Sequence, residues 1–184
     1  MREPEPETIH RARAGDLRAF ESLVRDYQAD VWRFAYHLTG NRAMAEDVTQ
    51  EAFLKAFRSF RSFRGEAKFS SWLLRITRNC AVDAYRRTRR EGPVQDDVLA
   101  SLSAERPTVQ AAGSVEERLR IADAVRRLPP ELREPFVTIE VLGFNYEEAS
   151  AILGVKLGTV KSRMHRARAA LIRTLTEGEA TGEV

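Results

Sequence analysis

Between Ala149 and Thr176 the chain carries no acidic residue, yet Lys156, Lys161, Arg163, Arg166, Arg168 and Arg173 all fall there. A second basic block holds Lys68, Arg75, Arg78, Arg86, Arg87, Arg89 and Arg90, opposed only by Asp83. Arginine offers a planar fork of donors and lysine a compact charge, and both suit phosphate oxygens. Two separate basic patches therefore point to two contacts with a polyanion. Catalytic chemistry has no comparable support. His10, His37 and His165 lie far apart and form no ligand spacing with Cys80. No phosphate-binding glycine loop and no nucleophile motif occurs, so no catalytic residue, metal site or cofactor is expected, and the chain is not read as an enzyme.

The elements that must carry these patches are helices, and the fold class is all-α. Leu17, Phe20, Leu23, Val24, Tyr27, Val31, Phe34 and Leu38 recur at intervals of three and four, with Asp16 as N-cap and Gly40-Asn41 as stop. A second helix is predicted from about Ala43 to Phe60, and a third from Ser70 or Ser71 through Trp72, Ile76, Cys80 and Ala84 towards Arg89. Between them, Arg61–Phe69 is a short loop with Gly65 and flanking aromatic and basic residues. Residues 91–114 lose helical periodicity and gain Gly92, Pro93, Pro107 and Gly113, the composition of a linker. Periodicity resumes with Leu119, Ile121, Ala124 and Leu128, breaks at Pro129-Pro130, and continues over about Glu131–Leu142, Tyr146–Leu153 and Leu157–Leu175. The chain thus reads as two small helical domains, 10–90 and 115–176, joined by a flexible linker.

The last two helices form a helix-turn-helix. Asn145, followed three residues later by Glu148, is a capping-box arrangement in which each side chain satisfies a backbone donor at the helix start. Gly154 supplies the turn, and the small Ser150 lets the helices approach. Val160, Met164, Ala167 and Leu171 define a buried stripe. Lys161, Ser162, His165, Arg166 and Arg168 must then face outward, as on a helix that enters a major groove.

The 184 residues suffice for one ordinary domain or two small ones, and the 43% hydrophobic content excludes a disordered chain. Net charge is only +3, so the placement of charges matters more than their sum. The single cysteine allows no intramolecular disulfide and is expected as a buried small hydrophobe. Met1–Thr8 is acidic, with no apolar core of a signal peptide, and no apolar run approaches the roughly 20 residues of a membrane span. A soluble, cytoplasmic protein without direct membrane insertion is expected.

The string from Tyr146 through Arg168 resembles the C-terminal DNA-binding region of sigma factors, most of all the extracytoplasmic-function (ECF) group of the sigma-70 family. Response-regulator output domains share a related helix-turn-helix, so the upstream motifs decide. Asp47-Val-Thr-Gln-Glu-Ala-Phe-Leu-Lys-Ala-Phe resembles the region 2 helix that grips the RNA polymerase clamp. The stretch from Phe63 to Asn79 resembles the segment that melts the −10 element, and Ala81-Val-Asp-Ala-Tyr-Arg-Arg its adjoining helix. A DNA-binding regulator that never engages polymerase would leave both of these motifs unexplained.

The resemblance implies an alternative sigma factor that binds core RNA polymerase, recognises −35 and −10 elements and initiates transcription. Lys161, Ser162, His165 and Arg166 become base-facing candidates at the −35 duplex, and Arg163 and Arg168 phosphate contacts, with Thr159 beside them. Lys156 stands where the family usually has proline or serine. At the melted −10 strand the candidates are Phe63, Arg64, Gly65, Lys68, Phe69, Trp72, Arg75, Arg78, Asn79, Arg86 and Arg87. Phe63, Phe69 and Trp72 could equally be core aromatics. Asp47, Gln50, Glu51, Phe53 and Leu54 are the polymerase-binding candidates, one of the two apolar residues facing the core. The linker is expected to thread through polymerase, with Asp96, Asp97 and Glu105 mimicking nucleic acid. An anti-sigma factor that covers both domains is the further partner implied.

Overall fold

The computed structural model describes residues 1–91 and 114–180. The linker, and with it the reading of Asp96, Asp97 and Glu105, lies outside the described residues. The described residues contain helices and no strand. Four α-helices come first: α1 (Pro6–Arg13), α2 (Leu17–Thr39), α3 (Arg42–Ser59) and α4 (Phe69–Glu91). Four more follow: α5 (Val115–Arg127), α6 (Pro130–Phe136), α7 (Tyr146–Leu153) and α8 (Leu157–Ala180).

Local chemistry sets the boundaries. Asp16 accepts from the N–H groups of Arg18 (2.9 Å) and Ala19 (3.2 Å) to start α2. Gly40 ends it in the left-handed region, at φ 68°. Asn41, expected to belong to that stop, instead caps α3 by accepting from Met44 N–H at 2.9 Å. A short helix that the apolar spacing did not announce precedes α2. Pro6 at the helix start and Glu7 in the first turn support α1, since proline there forfeits only an N–H with no intrahelical partner.

One predicted helix is two. The expectation of a single helix over 131–142 is replaced by α6 followed by a π-helical stretch, Val137–Val141. Pro135 sits inside α6 and has no N–H to give, and a proline ring in a helix crowds the carbonyl one turn back. The backbone then closes a wider ring, with Leu142 N–H donating to Val137 C=O at 3.0 Å.

Leu23, Val31, Phe34, Val48, Leu73 and Leu74 fill the N-terminal core, and Cys80 is buried among them. Burial pushes the Cys80 thiol upward, so it stays protonated. Leu17, expected in the apolar stripe of α2, is 59% exposed because the stripe turns off the core at the first residue of the helix. Val137, Ile152 and Leu153 continue that core into the C-terminal half, and Val160 and Met164 pack with Ala149 in a smaller cluster beside it. The two halves touch where α4 meets α7 and α2 meets α6. Arg133 of α6 donates to Leu38 C=O at 3.1 Å across that junction.

Candidate nucleic-acid interface

The helix-turn-helix is held by its own backbone accounting. Asn145 accepts from Glu148 N–H and Glu148 accepts from Asn145 N–H, both at 2.9 Å, so two otherwise unpaired donors are satisfied. Gly154 has φ 63°, and a Cβ there would meet nothing within 4 Å; conformation rather than space calls for glycine. Ser150 is more than a small residue, because its hydroxyl donates to Val155 C=O at 2.6 Å and ties the turn closed. Val160, Met164, Ala167 and Leu171 are all buried. That fixes the rotation of α8.

Lys156, Lys161, Ser162, His165, Arg166 and Arg168 consequently stand exposed, with Thr159 and Arg163 at the flanks. The Ser162 hydroxyl donates to Thr159 C=O at 3.0 Å and keeps its lone pairs for an incoming donor. Arg168 differs from the others: it pairs with Glu140 of the π-helical stretch at 2.6 Å, which further secures its charge.

The N-terminal candidates divide more sharply. Phe63 (6% exposed) and Phe69 (3%) are buried with Phe60. Trp72 packs partly buried against them, with ring centroids 5.0 Å from Phe63 and 5.8 Å from Phe69. These aromatics are a platform beneath the loop, with Trp72 alone of the three reaching the surface. Above it, Arg64, Gly65 and Lys68 are exposed, Gly65 in the left-handed region at φ 77°. Arg75, Asn79 and Arg86 continue as an exposed stripe at helical spacing along α4.

Several cations of this face already hold carboxylates of the chain itself. Lys68 Nζ lies 2.6 Å from Glu148 Oε1, and Arg78 Nε lies 3.0 Å from Glu134 Oε2. Arg87 lies 3.0 Å from Glu51. Glu148 thus works twice, capping α7 with Oε2 and gripping Lys68 with Oε1. Burial would raise its carboxyl, but the bonds from Lys68 and Asn145 win and hold it below the usual carboxylate range. Neither Glu148 nor Glu134 could be paired with its cation from sequence, since 80 and 56 positions separate the partners.

On α3, Asp47, Gln50 and Leu54 share an exposed face, while Phe53 packs against the core. Glu51 is turned aside by Lys55 and Arg87, and the Lys55 bond chiefly lowers its carboxyl. Phe57, missed by sequence reasoning, is 46% exposed and extends this face towards Phe20, which it meets edge-on at 5.0 Å. Its position three residues after Leu54 was the available signal. Among the described residues no acidic, His or Cys side chains gather as a metal-holding group, and no helix is long and apolar enough to cross a membrane.

A helical bundle with an aromatic-floored basic loop, followed by a helix-turn-helix, is an architecture suited to binding DNA. The comparisons specify which kind. Residues 23–91 match the model of Sigma-70 region 2 and residues 118–171 that of Sigma-70, region 4. The chain is 40% identical over 158 residues to the ECF RNA polymerase sigma factor SigE of Mycolicibacterium smegmatis, covering 83% of this chain and 60% of that one. It is 36% identical over 164 residues to the ECF RNA polymerase sigma factor SigM of Mycobacterium tuberculosis, covering 88% and 80%. Among solved structures, the sigma factor RpoE of Bartonella quintana, in complex with the anti-sigma factor NepR, superposes with a TM-score of 0.71 at 29% identity, over 85% of this chain and 96% of that one. The chain belongs to the ECF RNA polymerase sigma factors of the sigma-70 family.

Proposed function

We propose that this chain is an alternative sigma factor that directs core RNA polymerase to its promoters, holding the −35 element as duplex and the −10 element as opened strand. The observation that carries the reading is the order of two different DNA-facing surfaces on one chain. A preformed basic helix follows a loop built over clustered aromatics. Duplex readout needs the former, and capture of an unpaired strand needs the latter.

Lys161, Ser162, His165 and Arg166 are assigned to base edges, and Lys156, Thr159, Arg163 and Arg168 to phosphates. At the −10 strand, Arg64, Gly65, Lys68, Trp72, Arg75, Asn79 and Arg86 offer the accessible surface, and Phe63 and Phe69 support it. Lys68, Arg78 and Arg87 become fully available when their carboxylates let go. Asp47, Gln50 and Leu54, extended by Phe57, are the surface offered to polymerase, with Glu51 and Phe53 behind it. Residues 10–90 and 115–176 act as the two functional domains and 91–114 as the tether.

The protein works in the cytoplasm, without enzymatic activity of its own or a cofactor, and is restrained by an anti-sigma factor. The likeness to a sigma factor solved with its anti-sigma partner supports that last point. Run-off transcription with purified core polymerase on genomic fragments bound by the chain tests the assignment. Promoter-specific transcripts that require the chain are expected. Binding without any such transcript would reduce it to a DNA-binding regulator.

A further inference from the structure

Helix α4 begins without a cap of its own. Its first intrahelical bond runs from Trp72 N–H to Lys68 C=O at 3.1 Å, which makes Lys68 the capping position. A lysine side chain has no acceptor to offer the free N–H groups of the first turn. The acceptor comes from the other end of the domain. Glu3 Oε2 accepts from Phe69 N–H at 2.8 Å and Glu3 Oε1 from Ser70 N–H at 3.2 Å. The segment that carries Glu3 is itself anchored, because the Tyr27 hydroxyl donates to Arg2 C=O. Burial and the carboxylates of Glu3, Asp26 and Asp30 hold that phenol protonated, as a donor must be. Tyr27 also meets the Phe69 ring edge-on at 5.1 Å. The same residue therefore grips both the leading segment and the first residue of α4.

We propose that Glu3 is a positioning residue for strand opening: through the start of α4 it fixes the loop 63–68 over its aromatic floor. The inference rests on the reading of that loop as the −10 surface. Residues 1–5 then belong to the opening machinery although none of them needs to touch DNA. A carboxylate accepting two backbone donors also favours one loop shape before DNA arrives, which lowers the ordering that binding must supply.

The test uses the full chain with core polymerase on a promoter found by the run-off experiment. It compares the parent protein with Glu3→Ala, Glu3→Gln and Tyr27→Phe. Amide hydrogen exchange at Phe69 and Ser70 should quicken at least tenfold in Glu3→Ala. Permanganate reactivity of −10 thymines should fall at least fivefold while −35 protection is unchanged. Glu3→Gln keeps one acceptor oxygen and should recover part of both signals. Tyr27→Phe removes only the anchor and should fall between parent and Glu3→Ala, which keeps the test alive should the alanine variant misfold. Faster exchange with unaltered opening, or unaltered exchange, would overturn the proposal. A parent complex with −35 protection but no reactive thymines would instead overturn the underlying reading of the loop, and this inference with it.

Discussion

The two surfaces proposed to face DNA carry similar charge and hold it differently. In the turn before α8 and along its first turns, Lys156, Lys161 and Arg166 stand exposed on a stretch without a single acid, and of the cations there Arg168 leans on a carboxylate, that of Glu140. On the N-terminal face Lys68, Arg78 and Arg87 are each held by a glutamate, and two of those glutamates come from the C-terminal half. The difference follows the work assigned to each. A duplex presents its groove ready-made, so a rigid and open helix loses nothing by waiting. An unpaired strand must first be extracted from the stack, and on this face Arg75 and Arg86 stay exposed while Lys68, Arg78 and Arg87 become fully available to it only as their carboxylates are displaced.

The largest effect that separates the two surfaces should come from packing. Ala149, Val160 and Met164 form a small core of their own beneath the helix-turn-helix. Met164→Ala should cost about 2–5 kcal/mol there. Chemical unfolding should show an early transition by circular dichroism, while Trp32 and Trp72, both in the N-terminal bundle, report an unchanged later one. Coincident transitions would mean that the two halves unfold as one body.

Base readout comes next. Arg166→Ala should relax preference at one or two −35 positions and cost about 1–3 kcal/mol. Binding selections on randomised −35 duplexes check this, and a uniform loss across all sequences would reassign Arg166 to the backbone.

Acid should loosen the junction between the halves. His37 lies in α2 near the crossing of Arg133. Burial first, then the charges of Arg133 and Arg33, lower its pKa from 6.5 to about 4. The folded state therefore keeps it neutral. Its contribution is fully present above pH 6.5 and is lost as pH falls towards 4, at most about 3 kcal/mol. Thermal melts between pH 7 and 4.5 should fall less steeply for His37→Leu than for the parent, and parallel slopes would exclude this source.

The smallest effect belongs to Arg168. Because Glu140 shares its charge, Arg168→Ala should weaken all duplexes alike, by about 1 kcal/mol or less, and reduce the salt slope by about one unit. Sequence-dependent loss would remove the distinction drawn between Arg166 and Arg168.

Much of this was legible in the sequence because it is local. Helix periodicity, the Asp16 cap, the Asn145–Glu148 box and the rotation of α8 depend on residues within a few positions of one another. What escaped depends on distance along the chain. The carboxylate that starts α4 sits on Glu3, so the serines at positions 70 and 71 looked like the start and are instead buried in the first turn. The wider turn after Pro135 escaped for a different reason: the apolar spacing of 131–142 suits a helix, while one missing N–H alters its ring size. The aromatic residues were recognisable as a group, but which of them reach the surface is a matter of packing. Phe63 and Phe69 proved to be floor.

The most direct test of the whole account is a footprint of core polymerase with the chain on one of its promoters, read on both strands. Protection of the −35 duplex together with permanganate-reactive thymines at −10, both dependent on the chain, is the predicted result. Protection of a single duplex site with no opened strand downstream would contradict it.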